Sequence, residues 1–470
     1  MPLSTALAHP PDLPAGGARA SRATMVEGAV APILLRLTLP TAAAVLSMIG
    51  YGVIEAWMLG RLGPQALSAV SFTFPVTMVV ISLGIGLGAG TSAVVARALG
   101  AGEADVPGLV TDALLLTAGV AAAAAALGVA LLGPLFRALG APDALLPDIA
   151  GYLHLWFPAA VLFLCSMVGL SVARASGDAA FQSLATAAMV GISLLVAPPL
   201  IFGLGPLPGF GLRGAALANM LGWSFLLAAT LWRLRRLGLL SPARPAPTRF
   251  AASARRVLRV GLPAAATNTV IPVSAGIVTA LLAGFGPEAV AGFGVATRIE
   301  SLALVAFYAL SAVMNPFTGQ NAGAGRLDRV RAALGTTYAF CLAYGIALAV
   351  VLYFAAPAVA GLFTADPAVA ATTSAYLTLV PVSFGAAGVI AVVNAAFNGL
   401  NRPGAAVAVS VLRTLVVNVP VAWLGGRLFG ATGVFLGICV ANLTVGLLAA
   451  AWAWRAAAPA SAPAPAPAAA

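Results

Sequence analysis

The chain contains 470 residues but no lysine, only two histidines, only three cysteines, and just 8% charged residues. Cys165, Cys341 and Cys439 all lie in apolar stretches, and their number and spacing suggest neither a disulfide framework nor a metal site. With so little charge, the chain could not surround a core with a polar shell in water. These shortages exclude an ordinary soluble domain and predict an integral membrane protein.

Long apolar stretches are what the sequence has in abundance. Hydrophobic residues make up 61% of the chain, and the mean hydropathy is +1.03. A helix needs roughly 20 apolar residues to cross the ~30 Å hydrocarbon core of a bilayer. Short polar turns separate twelve such stretches, which we place at 33–58, 66–96, 109–132, 150–173, 181–202, 211–232, 260–284, 288–316, 330–355, 373–397, 404–424 and 431–453.

An internal repeat at a spacing of 223 residues divides the chain into two halves. Six helices in each half return it to the same side of the membrane, so the halves are expected to be parallel. We therefore predict an all-α membrane protein with twelve transmembrane helices in two six-helix lobes related by a pseudo-two-fold axis. The predicted segments are a disordered cytoplasmic tail (1–30), the N-terminal lobe (31–232), an arginine-rich cytoplasmic linker (233–259), the C-terminal lobe (260–454) and a Pro/Ala tail (455–470). Matching pairs include Pro40 and Pro263, Gly63 and Gly286, Gly102 and Gly325, and Asn219 and Asn442.

The distribution of the arginines predicts the orientation of the protein in the membrane. Most fall on the side that carries the N-terminus, and only Arg61, Arg137, Arg213 and Arg427 fall opposite. Because cytoplasmic loops collect positive charge, both termini are expected in the cytoplasm. The net charge of +11 thus reflects topology and does not indicate a nucleic-acid partner. The linker reads as an anchor beside anionic lipid headgroups.

Ionisable residues within the spans are the candidates for function, since no nucleophile with a plausible base is present and an enzyme is not expected. Glu55 lies five residues before Gly60, roughly 7 to 8 Å from the outer end of the first helix. Hydrocarbon penalises a charged carboxylate, so such a group can take up and release a proton near neutral pH. The alternative is a side chain that reaches the outer interface and has no role.

Further polar residues lie in the second half. Arg298 and Glu300 are near the middle of the eighth helix, where a structural salt bridge and a substrate site are both open. Further polar groups at or near membrane depth are Asn268, Gln320, Asn321, Arg413 and Asn418. Interhelical hydrogen bonding is the simplest explanation for them. In the second helix, the alternating glycines at 84, 86, 88 and 90 are consistent with either close packing or bending.

Four stretches resemble the multidrug and toxic compound extrusion (MATE) transporters, in their DNA-damage-inducible bacterial branch. They are residues 54–63, 72–102, 297–301 and 319–325, and with the twelve-helix repeat the resemblance covers about residues 30–455. It implies two lobes forming a V around a central cavity. Glu55 occupies the position of the family's cation-coupling aspartate, whereas Ser193 and Ala197 stand where the family usually has asparagine and aspartate.

These features together predict a cation-coupled multidrug efflux antiporter of the bacterial inner membrane, working by alternating access as a monomer and without a cofactor. A proton is the expected coupling ion because sodium wants several hard oxygen ligands, although sodium stays open. Glu55 is the coupling residue and small amphipathic or cationic compounds are the substrates. A flippase for a lipid-linked precursor is the alternative. The predicted polar network comprises Tyr51, Ser193, Asn268, Arg298, Glu300, Arg413 and Asn418, and the predicted substrate cavity is lined by Met48, Phe72 and Phe74.

Overall fold

Helices account for nearly all of residues 24–205, 207–243 and 246–458, which the computed structural model describes. The first half contains α1 (Val30–Gly60), α2 (Pro64–Gly100), α3 (Val106–Ala130), α4 (Leu132–Ala138), α5 (Leu146–Ala175), α6 (Ala179–Phe202) and α7 (Leu212–Arg236), with a short hairpin of β1 (Gly203–Leu204) and β2 (Leu207–Pro208) before α7. The second half contains α8 (Pro247–Ala283), α9 (Pro287–Ala303), α10 (Val305–Gly323), α11 (Leu327–Phe363), α12 (Pro367–Leu379), α13 (Phe384–Gly399), α14 (Pro403–Val411) and α15 (Val419–Ala456).

Twelve membrane crossings follow from these helices within the described residues. α9 and α10 are bent by 49° at a short break and form one span. α12 and α13 together form another span, Pro367–Gly399. The stretch Pro403–Ala456 is 54 residues long, about 80 Å if it were one straight helix, far more than a bilayer's ~30 Å. Gly430 interrupts it with φ 65° and ψ −150°, so it makes two crossings. The predicted number of spans is confirmed.

The repeat seen in the sequence is also present in the backbone. Gly63 and Gly286 both precede a helix with φ 108°, and Gly102 and Gly325 have φ 68° and 72°. These positive φ values suit glycine because it has no Cβ to clash with the backbone. Turns of the same conformation thus stand at equivalent places in the two halves.

The first helix of each half crosses to the other half at its inner end, by which we mean the end on the side of the α7–α8 linker. Leu34 and Leu37 pack in the hydrophobic cluster of the C-terminal lobe, whereas Met58 and Leu59 at the other end of α1 pack in the N-terminal lobe. Val257 of α8, the repeat equivalent of Leu34, packs against α2 and α3. Each first helix therefore connects the two lobes.

The alternating glycines of α2 pack on two different neighbours. A Cβ on Gly84 or Gly88 would lie within 3.0 Å of an α5 side chain in the same lobe. A Cβ on Gly86 or Gly90 would instead lie 2.5–2.7 Å from backbone atoms around Gly261 of α8. Small residues let helix backbones approach closely, so one pair supports the lobe and the other supports the contact between α2 and α8.

Three predicted segment boundaries need correction. α7 extends to Arg236 and α8 begins at Pro247, so helix occupies much of the predicted linker 233–259. Residues 24–29, predicted as part of a disordered tail, pack against the bundle instead. Residues 1–23 and 459–470, where the rest of the tail predictions fall, lie outside the described residues.

Candidate transport site

In the N-terminal lobe, a chain of hydrogen bonds links α1 to α7. The Asn219 side-chain amide donates to Glu55 Oε1 at 2.6 Å, and the Tyr51 hydroxyl donates to Asn219 Oδ1 at 2.6 Å. Tyr51 and Asn219 are buried and Glu55 is partly buried. Tyr51 and Glu55 are four residues apart and so share one face of α1. Asn219 and Tyr51, the two partners of Glu55 in this series of hydrogen bonds, are both uncharged.

Residues from α5 and α6 complete the surroundings of this chain. Ser193 is fully buried, and its hydroxyl lies beside the Tyr51 phenol. Ala197, one turn further along α6, is also buried. The phenol of Tyr152 on α5 approaches both Glu55 and Tyr51. Met48 lies on the same face of α1 as Tyr51 and is 41% exposed.

The C-terminal lobe has a second buried polar group, around Glu300. The Tyr376 hydroxyl donates to Glu300 Oε2 at 2.5 Å. Glu300 and Arg413 line the same cavity of about 150 Å³, together with Thr267, Tyr308 and Asn394. No ion pair within 4.0 Å joins Glu300 to Arg413 among the described residues. This carboxylate therefore faces a cation across a small cavity.

Irregular helices bring these C-terminal groups together. The helix carrying Glu300 ends at Ala303, and α10 continues at an angle of 49°. Arg413 lies in a π-helical stretch, Leu412–Asn418, between α14 and α15. Helix breaks and π-bulges are frequent at functional sites because they redirect side chains. By contrast, α1 runs without a break through Tyr51 and Glu55.

The other predicted polar residues do not join either group. Asn268 donates to the Ala264 carbonyl of its own helix at 2.8 Å, and Asn418 donates to Ser274 at 3.4 Å. Arg298 is exposed and does not pair with Glu300 in the described structure. The seven residues predicted as one polar network are thus separated into two groups and three individual side chains.

The predicted cavity residues on α2 face different ways. Phe72 packs against the hydrophobic cluster of the N-terminal lobe, whereas Phe74 is 59% exposed. Residues two apart do not share a helix face. A common cavity wall therefore includes at most one of the two.

The lobes meet most closely at the inner end, around the pseudo-two-fold axis. A Cβ on Gly100 would lie 2.0 Å from the backbone oxygen of Gln320. A Cβ on Gly323 would lie 2.3 Å from the backbone oxygen of Arg97. Arg97 and Gln320 are equivalent in the repeat, so these two contacts are reciprocal. Gly319 packs on its own repeat equivalent, Ala96. Only glycine allows backbones to approach this closely.

An N-terminal strap, residues 24–29, lies across this junction. The Met25 backbone N–H donates to Gln320 Oε1 at 2.9 Å, and the Gln320 amide in turn donates to the Ala175 carbonyl of the N-terminal lobe at 2.7 Å. Arg329 donates to the Gly28 carbonyl at 2.7 Å. Met25 is 1% exposed. The strap and Gln320 together link the lobes at the inner end.

Arginines near the start of α8 form ion pairs with the N-terminal lobe. Arg249 contacts the buried Asp112 at 3.2 Å and Asp105 at 3.4 Å, and Arg256 contacts Glu103 at 2.8 Å. These residues thus attach the C-terminal lobe to α3 and the loop before it. The sequence suggested only a lipid anchor here because the acidic partners are distant in the chain.

Comparison with known proteins identifies the family. The family model described as MatE matches residues 40–199 and 263–424. The chain belongs to the MATE family. MATE proteins are membrane transporters, and this MATE protein is therefore a transporter and not an enzyme. Its DNA-damage-inducible branch stays a prediction.

Individual MATE relatives and structures span most of the chain. A relative from Shewanella oneidensis named FAD transporter is 33% identical over 90% of this chain and 94% of its own length. The Multidrug export protein MepA of Staphylococcus aureus is 22% identical over 88% and 92% of the two chains. The Vibrio cholerae MATE transporter VcmN in the bent form superimposes with a TM-score of 0.87 at 28% identity, covering 93% of this chain and 99% of that chain.

Sequence reasoning missed two partners of the buried acids, Asn219 and Tyr376. In the sequence, Asn219 stands out only as the repeat equivalent of Asn442. A polar side chain repeated at membrane depth is itself a signal, since such residues are costly unless paired. The sequence does not indicate Tyr376 as a partner of Glu300, because tyrosines are common in apolar helices.

Proposed function

We propose that this MATE protein is a proton-coupled antiporter of the inner membrane that exports small amphipathic or cationic compounds by alternating access. The observation that carries the proposal is the Glu55–Asn219–Tyr51 hydrogen-bond chain, in which a partly buried acid bonds to uncharged partners. A carboxyl group with no cation beside it can exist in either charge state, because no ion pair has to be broken when it takes up a proton.

Protonation changes what this hydrogen-bond chain can do. The Glu55 carboxylate accepts from the Asn219 amide, which in turn accepts from Tyr51. A neutral acid accepts hydrogen bonds more weakly than a carboxylate, so protonation weakens the bond from Asn219 and adds an O–H group that needs an acceptor of its own. Since Glu55 is on α1 and Asn219 is on α7, uptake of a proton alters the link between these two helices.

Because α1 contacts both lobes, a change in its link to α7 can affect the C-terminal lobe. Its inner half, with Leu34 and Leu37, packs in the C-terminal lobe, while Glu55 is in its outer half. Pro40 lies between them and removes one backbone hydrogen bond from the helix. A shift of the outer half can therefore bend α1 at this point. The contacts of Gly86, Gly90 and Gln320 at the inner end would have to separate for the inward-open state.

The surroundings of Glu55 suit a proton better than sodium. Oxygen atoms of Asn219, Tyr51 and Ser193 lie nearby, but the Asn219 N–H group points at the carboxylate. A donor hydrogen in that position repels a cation, whereas sodium requires several oxygen ligands. Ser193 and Ala197 also supply fewer oxygens than the asparagine and aspartate of the family pattern.

The test is substrate-triggered proton movement in proteoliposomes, measured with a pH-sensitive dye in the presence and absence of sodium. We expect proton movement without sodium for the native protein, and none above empty liposomes for Glu55→Gln. Glu288→Gln, which changes an exposed glutamate at the start of α9, is the control and should transport normally. Sodium-dependent transport without proton movement, or unimpaired coupling in Glu55→Gln, would overturn the proposal.

A second candidate function is transport of flavin adenine dinucleotide (FAD), which is favoured by the 33% identical relative named FAD transporter. Arg413 at the C-terminal cavity offers a cation for a phosphate group. Uptake of FAD and of a cationic dye into the same proteoliposomes distinguishes the two candidates. The flippase alternative has less support, because Arg413 is the one described arginine that lines this cavity and Arg298 does not line it.

A further inference from the structure

A second cavity lies away from the transport site, at the periphery of the N-terminal lobe. It has a volume of about 640 Å³. α3 and α7 form its walls, and both of them pack against α5, which forms its floor at Cys165. Residues 240–242 close its inner end, where the Ser241 N–H group donates to Thr111 Oγ1 at 3.0 Å. We call this cavity the α3–α7 slot.

The walls of the α3–α7 slot are two apolar helical stripes. On α7, Leu227, Leu231 and Arg235 follow each other at intervals of four residues, and on α3 the stripe includes Leu114 and Ala118. Residues at these spacings share one helix face. From Leu227 to Arg235 the slot runs about 12 Å along α7. It thus has the form of an apolar channel that ends in a single cation.

That cation has no protein partner among the described residues. Arg235 is exposed and makes no ion pair or side-chain hydrogen bond there, in contrast to its neighbours on α7. Arg233 pairs with Asp178 at 2.6 Å, and the guanidinium of Arg236 lies 4.9 Å from the Trp232 ring centre. The nearby acids Asp105 and Asp112 are bonded to Arg249. None of the acids that the structure describes therefore pairs with Arg235.

We propose that the α3–α7 slot binds one anionic phospholipid of the leaflet at the inner end, with an acyl chain between α3 and α7 and the phosphate on Arg235. α7 is long and apolar enough to span a membrane, so the slot lies at the depth of acyl chains. Arg235, in the last turn of that helix, lies at the depth of headgroups. Guanidinium groups bind phosphate through paired hydrogen bonds, and anionic headgroups add Coulomb attraction. The lipid is a fixed component here, independent of the transported substrate.

Native mass spectrometry of the delipidated full-length protein tests this assignment, with phosphatidylglycerol and phosphatidylcholine added in equal amounts. We expect one tightly held phosphatidylglycerol, preferred about fivefold, since one arginine near an anionic surface contributes about 1 kcal/mol. Arg235→Gln should lose the preference. Arg236→Gln, which removes the same charge from the next residue, should keep it.

A second pair of variants tests the apolar part. Leu231→Trp fills the slot and should abolish tight lipid retention, whereas Leu221→Trp, at an exposed position of α7 outside the slot, should not. Preference retained in Arg235→Gln, equal loss in Arg236→Gln, or retention in Leu231→Trp would overturn the proposal. If a dye whose transport depends on Arg235 displaced the lipid, the slot would be a substrate site. That result would also overturn the proposal.

Discussion

The two lobes share one fold but hold their buried acids in different ways. In the N-terminal lobe, Glu55 is on an unbroken helix and, among the described residues, bonds to the uncharged Asn219. In the C-terminal lobe, Glu300 precedes a helix break and shares a cavity with Arg413. Neither acid has an acidic equivalent in the other half, where the repeat positions are Val278 and Thr77.

This difference suggests a division of labour. A nearby cation favours the charged form of an acid, because losing the charge also loses the attraction. An acid among neutral groups lacks that attraction and can change its charge more easily. We therefore expect the N-terminal lobe to respond to protons and the C-terminal lobe to keep a constant charge pattern.

The largest expected effect compares Asn219 with Asn442, which are equivalent in the repeat. Asn219→Leu removes the donor to Glu55, while Asn442→Leu removes a hydrogen bond to Ser383 at 2.9 Å. A hydrogen bond to a charged group contributes about 1.5–3 kcal/mol, or roughly 10- to 100-fold in an equilibrium. Because the charged form loses support, Asn219→Leu should move the pH profile of efflux to higher pH and lower the rate at least tenfold near neutral pH.

Asn442→Leu serves as the matched change in the other lobe. It should lower the free energy of unfolding by about 0.5–1.5 kcal/mol and leave the pH profile of efflux unchanged. Efflux rates measured between pH 6 and pH 8.5 on both variants decide the matter. Equal shifts of the two profiles would contradict the proposed difference between the lobes.

A smaller effect is expected from Gly90→Leu, which tests whether the lobes must meet at their inner ends. A Cβ there would lie 2.7 Å from the α8 backbone, so the larger side chain should force α2 and α8 apart, at a cost of about 1–3 kcal/mol. A cysteine at Ala96, buried at the junction, should then react faster with an impermeant maleimide applied from the inner side.

That experiment needs a background in which the three native cysteines are replaced by alanine. Gly119→Leu is the control, because a Cβ at Gly119 meets no atom within 4 Å. Unchanged labelling in Gly90→Leu would show that the close contact of α2 and α8 does not keep the inner side closed.

The smallest effect on transport is expected from Tyr376→Phe. Its hydroxyl donates to Glu300, and loss of this bond should lower the free energy of unfolding by about 1.5–3 kcal/mol while proton coupling persists. Tyr338→Phe, which removes a 3.3 Å bond to the Ala450 carbonyl, is the control and should cost less. Thermal unfolding in detergent and dye-driven proton movement measure the two properties. Loss of coupling in Tyr376→Phe would make the C-terminal lobe part of the proton pathway.

Much of the fold could be predicted because its signals are local. Twenty apolar residues in a row leave a helix as the only way to satisfy the backbone in lipid, and the turn glycines repeat at 63 and 286 with the same φ. Residues 24–29 and 247–259 were misjudged for the opposite reason. Their contacts, from Met25 to Gln320 and from Arg249 to Asp112, are more than a hundred residues apart in the chain.

The sequence by itself determined that this protein lies in a membrane, that it has two equivalent halves, and that Glu55 is a rare acid at membrane depth. Hydrophobicity, repetition and charge are properties of the chain alone, so no contact had to be known. Only the tertiary structure decided that Asn219 and Tyr51 bond to this acid, that Arg298 and Glu300 do not pair, and that each first helix crosses to the other lobe. Those outcomes depend on which helix faces meet, and packing of the whole bundle selects them.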